Sequence, residues 1–128
     1  MNQYTLDLYY AGAVNRKVFV AGGIYPLNSI TDTNTDTLGY IIGTRTANNV
    51  AKMFMDGSQI GSTLTTTYAG SFAAFPMYIG AQNNAGTAVE FGAKQAAFAS
   101  IGDGLTDTEA SNLYTRVQAF QTALSRNV

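Results

Sequence analysis

The chain has 128 residues, of which 46% are hydrophobic and 12% charged, with a formal net charge of −1 and neither Cys nor His. One domain over residues 1–128, with a real core, fits that length. The two missing residue types exclude disulfides, thiolate nucleophiles, imidazole-based triads and the common Cys/His metal sites.

In chain order, Tyr4-Thr5-Leu6-Asp7-Leu8-Tyr9 alternates as a strand does, with Tyr4, Leu6 and Leu8 on one face. A turn at Ala11-Gly12-Ala13 leads to Lys17-Val18-Phe19-Val20, which predicts a hairpin stopped by Gly22-Gly23. Residues 28–37 are rich in Thr, Asp and Asn and predict an exposed loop. Strands follow over 38–45 and 50–55, joined by Thr46-Ala47-Asn48-Asn49. Asp56-Gly57 predicts a tight hairpin turn, with residues 59–65 returning antiparallel. Met77-Tyr78-Ile79-Gly80-Ala81 predicts a strand, Asn83-Asn84-Ala85-Gly86 a turn, and 89–101 a last strand bent near Gly92. Seven or eight short strands with frequent turns predict an all-β antiparallel sandwich.

Only the end changes period. Ala110, Leu113, Tyr114, Val117, Phe120 and Leu124 recur at three- and four-residue steps, which predicts one C-terminal helix over about 106–125 packed on a sheet. Thr106 and Glu109 have the spacing of a capping box, and Asp107 and Glu109 sit at the positive end of the helix dipole. Leu113→Ala and Phe120→Ala are both expected to cost a few kcal/mol as buried truncations.

Chemistry-bearing groups are sparse. The eight carboxylates are Asp7, Asp32, Asp36, Asp56, Glu90, Asp103, Asp107 and Glu109. Turns, loops and the helix start account for Asp56, Asp103, Asp107 and Glu109, and Glu90 lacks the acidic strand neighbours that glycoside hydrolysis requires. The expectation is a non-enzyme with no cofactor. Asp32-Thr33-Asn34-Thr35-Asp36 offers oxygen ligands at alternate positions, but Thr37 and Gly43 stand where an EF-hand needs Gly and Glu. No metal site is assigned there. Tyr40, Phe54, Tyr78, Phe98, Tyr114 and Phe120 read as core, leaving Tyr25, Tyr68, Phe72 and Phe75 as candidate sugar platforms. Apart from Arg16-Lys17 the cations are scattered, which argues against nucleic acid or anionic lipid as a partner. No run spans a bilayer and the start does not read as a signal peptide, so the expectation is a soluble chain that does not direct its own export.

Met53-Phe54-Met55-Asp56-Gly57, Tyr78-Ile79-Gly80-Ala81-Gln82-Asn83-Asn84-Ala85-Gly86 and the ending from Ala97 through Leu105-Thr106-Asp107 to Leu113-Tyr114 and Val117-Gln118-Ala119-Phe120-Gln121 carry a resemblance. Together, from Leu38 onward, they look like the C-terminal half of concanavalin A-like, laminin-G-like jelly-roll domains, and the ending is similar to that of domains in tailed-phage virion proteins, especially phages of Bacteroidetes. Family members carry further strands before the region matching Tyr4. The resemblance therefore implies either a small, partial sandwich or strands supplied by another chain or an upstream part of the gene product. Sugar sites in the family lie in variable loops, so no ligand-binding residue is carried over.

The resemblance implies a virion structural protein, such as a head or tail decoration, fibre or receptor-binding module. Its partners would be other virion proteins, copies of itself, or a host-surface glycan. The alternative is a bacterial secreted or cell-surface carbohydrate-binding domain.

Overall fold

The computed structural model describes residues 4–11, 14–21, 28–33, 38–67, 76–84, 86–89, 91 and 95–126. Among them are eight strands and one C-terminal helix, in the order β1 (Tyr4–Ala11), β2 (Val14–Ala21), β3 (Ser29–Thr33), β4 (Ile41–Ala47), β5 (Val50–Met55), β6 (Ser58–Leu64), β7 (Gln82–Asn84), β8 (Thr87–Val89) and α1 (Asp107–Ala123). The strands form antiparallel sheets in chain order: β1-β2-β3, β4-β5-β6 and the two-stranded β7-β8.

The first hairpin pairs Tyr4 with Ala21 and Ala11 with Val14. The expected loop over 28–37 is corrected in its first half, where Ser29–Thr33 forms β3 and pairs with β2, Ile30 opposite Phe19. One apolar residue among polar ones explains the difference. Ile30 is buried against Ala51 and Met53, and β-branched Ile and Thr favour a pleated, half-buried strand. Asn34, Thr35, Asp36 and Thr37 lie outside the described residues.

The second sheet is the structural centre. Period-2 alternation sends Ala51 and Met53 of β5 to one face and Phe54 to the other. On the first face they pack with Ile30, Ile41, Ile60 and Leu64. On the second, Phe54 and Ile42 pack with Ala110 of the helix, flanked by Tyr40, Leu105 and Leu113. The β5–β6 turn has Asp56 at φ 50° and Gly57 at φ 80°, the paired positive values of a tight hairpin for which Asp-Gly is suited. Asp56 also extends the ladder beyond β4: its N–H donates to the Tyr40 carbonyl at 3.0 Å, and its Oδ1 accepts from the Tyr40 N–H at 2.8 Å.

Two later expectations are corrected. Residues 76–81 form no strand, and pairing begins only at Gln82; Gly80, at φ 80°, breaks the extended course. Of the strand expected over 89–101, Val89 ends β8, residues 91 and 95–101 are irregular, and 90 and 92–94 lie outside the described residues. Ala96, Ala97 and Ala99 have little side chain to pack on a sheet face, which favours that outcome.

The helix has the expected cap but a different buried face. Ala110, Val117 and Gln121 are buried, Leu113 and Tyr114 are half-buried, and Phe120 is 51% exposed. At 3.6 residues per turn, Val117 and Gln121 return to within roughly 20° of Ala110, whereas Phe120 stands about 80° away. Phe120 is thus corrected from core to surface, and its truncation no longer empties a packed site. Tyr78 and Phe98 are likewise more exposed than expected. The Phe98 ring lies 6.0 Å from that of Tyr40 in a tilted arrangement.

Candidate functional site

A cleft of about 360 Å³ opens where the outer end of β4 and β5 meets the start of α1. Its polar lining includes Thr44, Thr46, Lys52, Thr106, Asp107 and Thr108. Strand alternation sends Thr44 and Lys52 to the helix side of the sheet, where their backbones are directly paired. The capped helix start brings Thr106 and Asp107 against them.

Most of these groups already have partners. The Thr44 hydroxyl, on a residue only 5% exposed, accepts from the Leu105 N–H at 2.7 Å and donates to the Leu105 carbonyl at 3.1 Å. One side chain thereby does for Leu105 what a neighbouring strand's backbone would do. Thr44→Val is expected to cost about 2 kcal/mol, because a part-buried N–H and carbonyl lose their partner together. Urea denaturation checks this, and Thr44→Ser should retain most of the stability.

Lys52 Nζ donates to both carboxylate oxygens of Asp107, at 2.6 and 2.7 Å. Asp107 is mostly exposed, so this bridge contributes at most about 1 kcal/mol. It fixes the helix start over β5.

At the cap, the Thr106 N–H donates to Glu109 Oε2 at 2.8 Å and the Thr106 hydroxyl to the same oxygen at 2.7 Å. The Glu109 N–H in turn donates to Thr106 Oγ1 at 3.3 Å. Those bonds from the Thr106 backbone and side chain hold the Glu109 carboxyl below its ordinary range. A lowered folded-state value stabilises the fold above the unfolded glutamate value of about 4.3. That contribution is lost as pH falls through the lowered value. Glu109→Gln should therefore lower the melting temperature at neutral pH, and the gap to the unsubstituted protein should close on acidification, as thermal scans across pH would show.

The chemistry left to the cleft is limited. Its carboxylate is engaged by its lysine, and Glu109 beside it is engaged by the cap. Thr46 and Thr108 are the more accessible hydroxyls. Polar recognition is within its means.

The other carboxylates are dispersed. Asp7 lies on β1 and Asp32 on β3, the latter paired in register with Lys17. Asp56 serves its turn, and Asp103 lies in an exposed bend. Among the described residues no three acidic groups come together as a metal could require. Asp36, Glu90 and the candidate sugar platforms Tyr25, Tyr68, Phe72 and Phe75 lie outside the described residues.

Sequence reasoning missed Gln121. Its Nε2 donates to the Ala97 carbonyl at 3.5 Å, while its buried Oε1 has no partner among the described residues. Counting Gln as polar hid its place on the buried stripe; the seven- and eleven-residue steps from Ala110 would have revealed it. Among the described residues no helix is long and apolar enough to cross a membrane. Comparison of the chain with protein-family models, with curated proteins and with solved structures found no match in any of the three.

Proposed function

We propose that the chain is a non-catalytic structural module of a tailed-phage particle, a head or tail decoration, fibre or receptor-binding domain serving assembly or host-surface attachment. Its scaffold on this reading is a concanavalin A-like jelly-roll sandwich, and its place is the virion. The observation that carries the reading is the exposure of large apolar side chains, foremost Met77, Ile79, Phe91 and Ile101. Large apolar side chains left exposed are available for contact with other chains. The low charge of the chain and the resemblance of its ending to virion domains point the same way. Mass spectrometry and cryo-EM of purified particles test it: the protein should be a stoichiometric component, and its absence would remove the proposal.

A second reading, a bacterial secreted or cell-surface carbohydrate-binding domain, is favoured by the threonine-lined cleft at the helix start. A glycan array separates the two. Strong binding to one defined glycan, lost in Thr46→Ala with Thr108→Ala, would support this second reading.

A further inference from the structure

We propose that Asp103-Gly104 is a site of spontaneous backbone modification, where the aspartate isomerises to isoaspartate and loosens the seat of α1 on β4. The chain has two Asp-Gly pairs, Asp56-Gly57 and Asp103-Gly104. In each, the residue after the aspartate carries no side chain to shield its backbone nitrogen from the carboxyl group before it.

Water alone balances the step. The Gly104 nitrogen bonds to Asp103 Cγ and gives up its proton, and one carboxyl oxygen leaves as water, which closes a five-membered succinimide ring. A water molecule then adds to the ring carbon that was the Asp103 main-chain carbonyl. The bond from that carbon to nitrogen breaks, the nitrogen regains a proton, and the freed carbon becomes the new carboxylate. Mass is unchanged, but the main chain now runs through Cβ and Cγ of residue 103.

The fold treats the two pairs differently. Asp56 Oδ1 accepts from the Tyr40 N–H at 2.8 Å, the Asp56 N–H donates to the Tyr40 carbonyl at 3.0 Å, and the Tyr114 ring stands against Gly57. Asp103 sits in an exposed bend, with open space beside Gly102. Neither its carboxylate nor the Gly104 N–H has a hydrogen bond or ion pair with another described residue. Ring closure at Asp56 must first break the bond to its carboxylate, which makes it about tenfold slower than at Asp103.

Packing keeps the reactive pair in place. A Cβ at residue 104 would collide with the Arg45 carbonyl, so the contact with β4 demands the very residue that leaves the nitrogen bare. Beyond it, Leu105 is held in both directions by the Thr44 hydroxyl, and Thr106 caps α1. The added main-chain carbon enters one residue before this anchor and shifts the carboxylate onto the backbone beside it.

Ageing of the full chain for several weeks at neutral pH and physiological temperature tests the site, followed by digestion with an endoproteinase that cuts before aspartate but not before isoaspartate. Resistance of the 102–103 bond should rise with time, about tenfold faster than that of the 55–56 bond. In urea, where the fold no longer distinguishes them, the two pairs should gain resistance at similar rates. The aged protein should also melt at a lower temperature than the fresh one, whereas Asp103→Glu, which would have to close a larger ring, should keep its melting temperature. A folded chain that stays cleavable before residue 103, equal resistance at both bonds in the folded protein, or a preference that persists in urea would overturn the site. Isoaspartate at 103 without any fall in melting temperature would overturn the loosening of the helix.

Discussion

Phe54→Ala is expected to destabilise the domain by about 4 kcal/mol, measured as the loss of unfolding free energy in urea. The ring is 2% exposed and fills the space between Ile42 on its own sheet and Ala110 on the helix. Ala110 is itself small and held in a capped helix, so the site cannot collapse onto the cavity. Against a typical total of 5–15 kcal/mol, that loss would leave the protein marginal. Phe120→Ala, on the exposed flank of the same helix, should stay within about 1 kcal/mol.

Gly104→Ala should cost about 3 kcal/mol. A Cβ at residue 104 would collide with the Arg45 carbonyl and crowd the Thr46 Cα, both backbone of β4. A side-chain neighbour can rotate away, but a strand carbonyl cannot. Relief must come from moving residues 104–105 outward, which would pull Leu105 off the Thr44 hydroxyl as well. The urea midpoint should fall, and the amide resonance of Leu105 should shift with it.

What could be read from sequence was set by how local each signal is. The hairpin turn at Asp56-Gly57 and the cap at Thr106 and Glu109 are made by residues within three positions of one another, and both form as expected. The first hairpin and the strands of the second sheet follow from period-2 alternation in the same way. β3 escaped because its evidence is Ile30 alone, whose reason for burial lies on β5. Residues 77–81 and, within the strand expected over 89–101, residues 95–101 read as strands because apolar content is visible in the sequence, whereas whether a pairing partner lies beside it is not. The same limit governs the cleft: Thr44 meets Leu105 across 61 positions and Lys52 meets Asp107 across 55, distances at which no pattern in the chain announces contact.

That separation has a kinetic meaning. The β4–β5 and β5–β6 hairpins close over two-residue turns, an event on the scale of about 1–10 μs. Seating the helix requires closure of the span from Thr44 to Leu105, 61 positions apart, before either Phe54 or the Thr44 hydroxyl gains its partner. The second sheet is therefore expected to assemble with its helix-facing side still wet, and docking of α1 to be the slow event that completes the core.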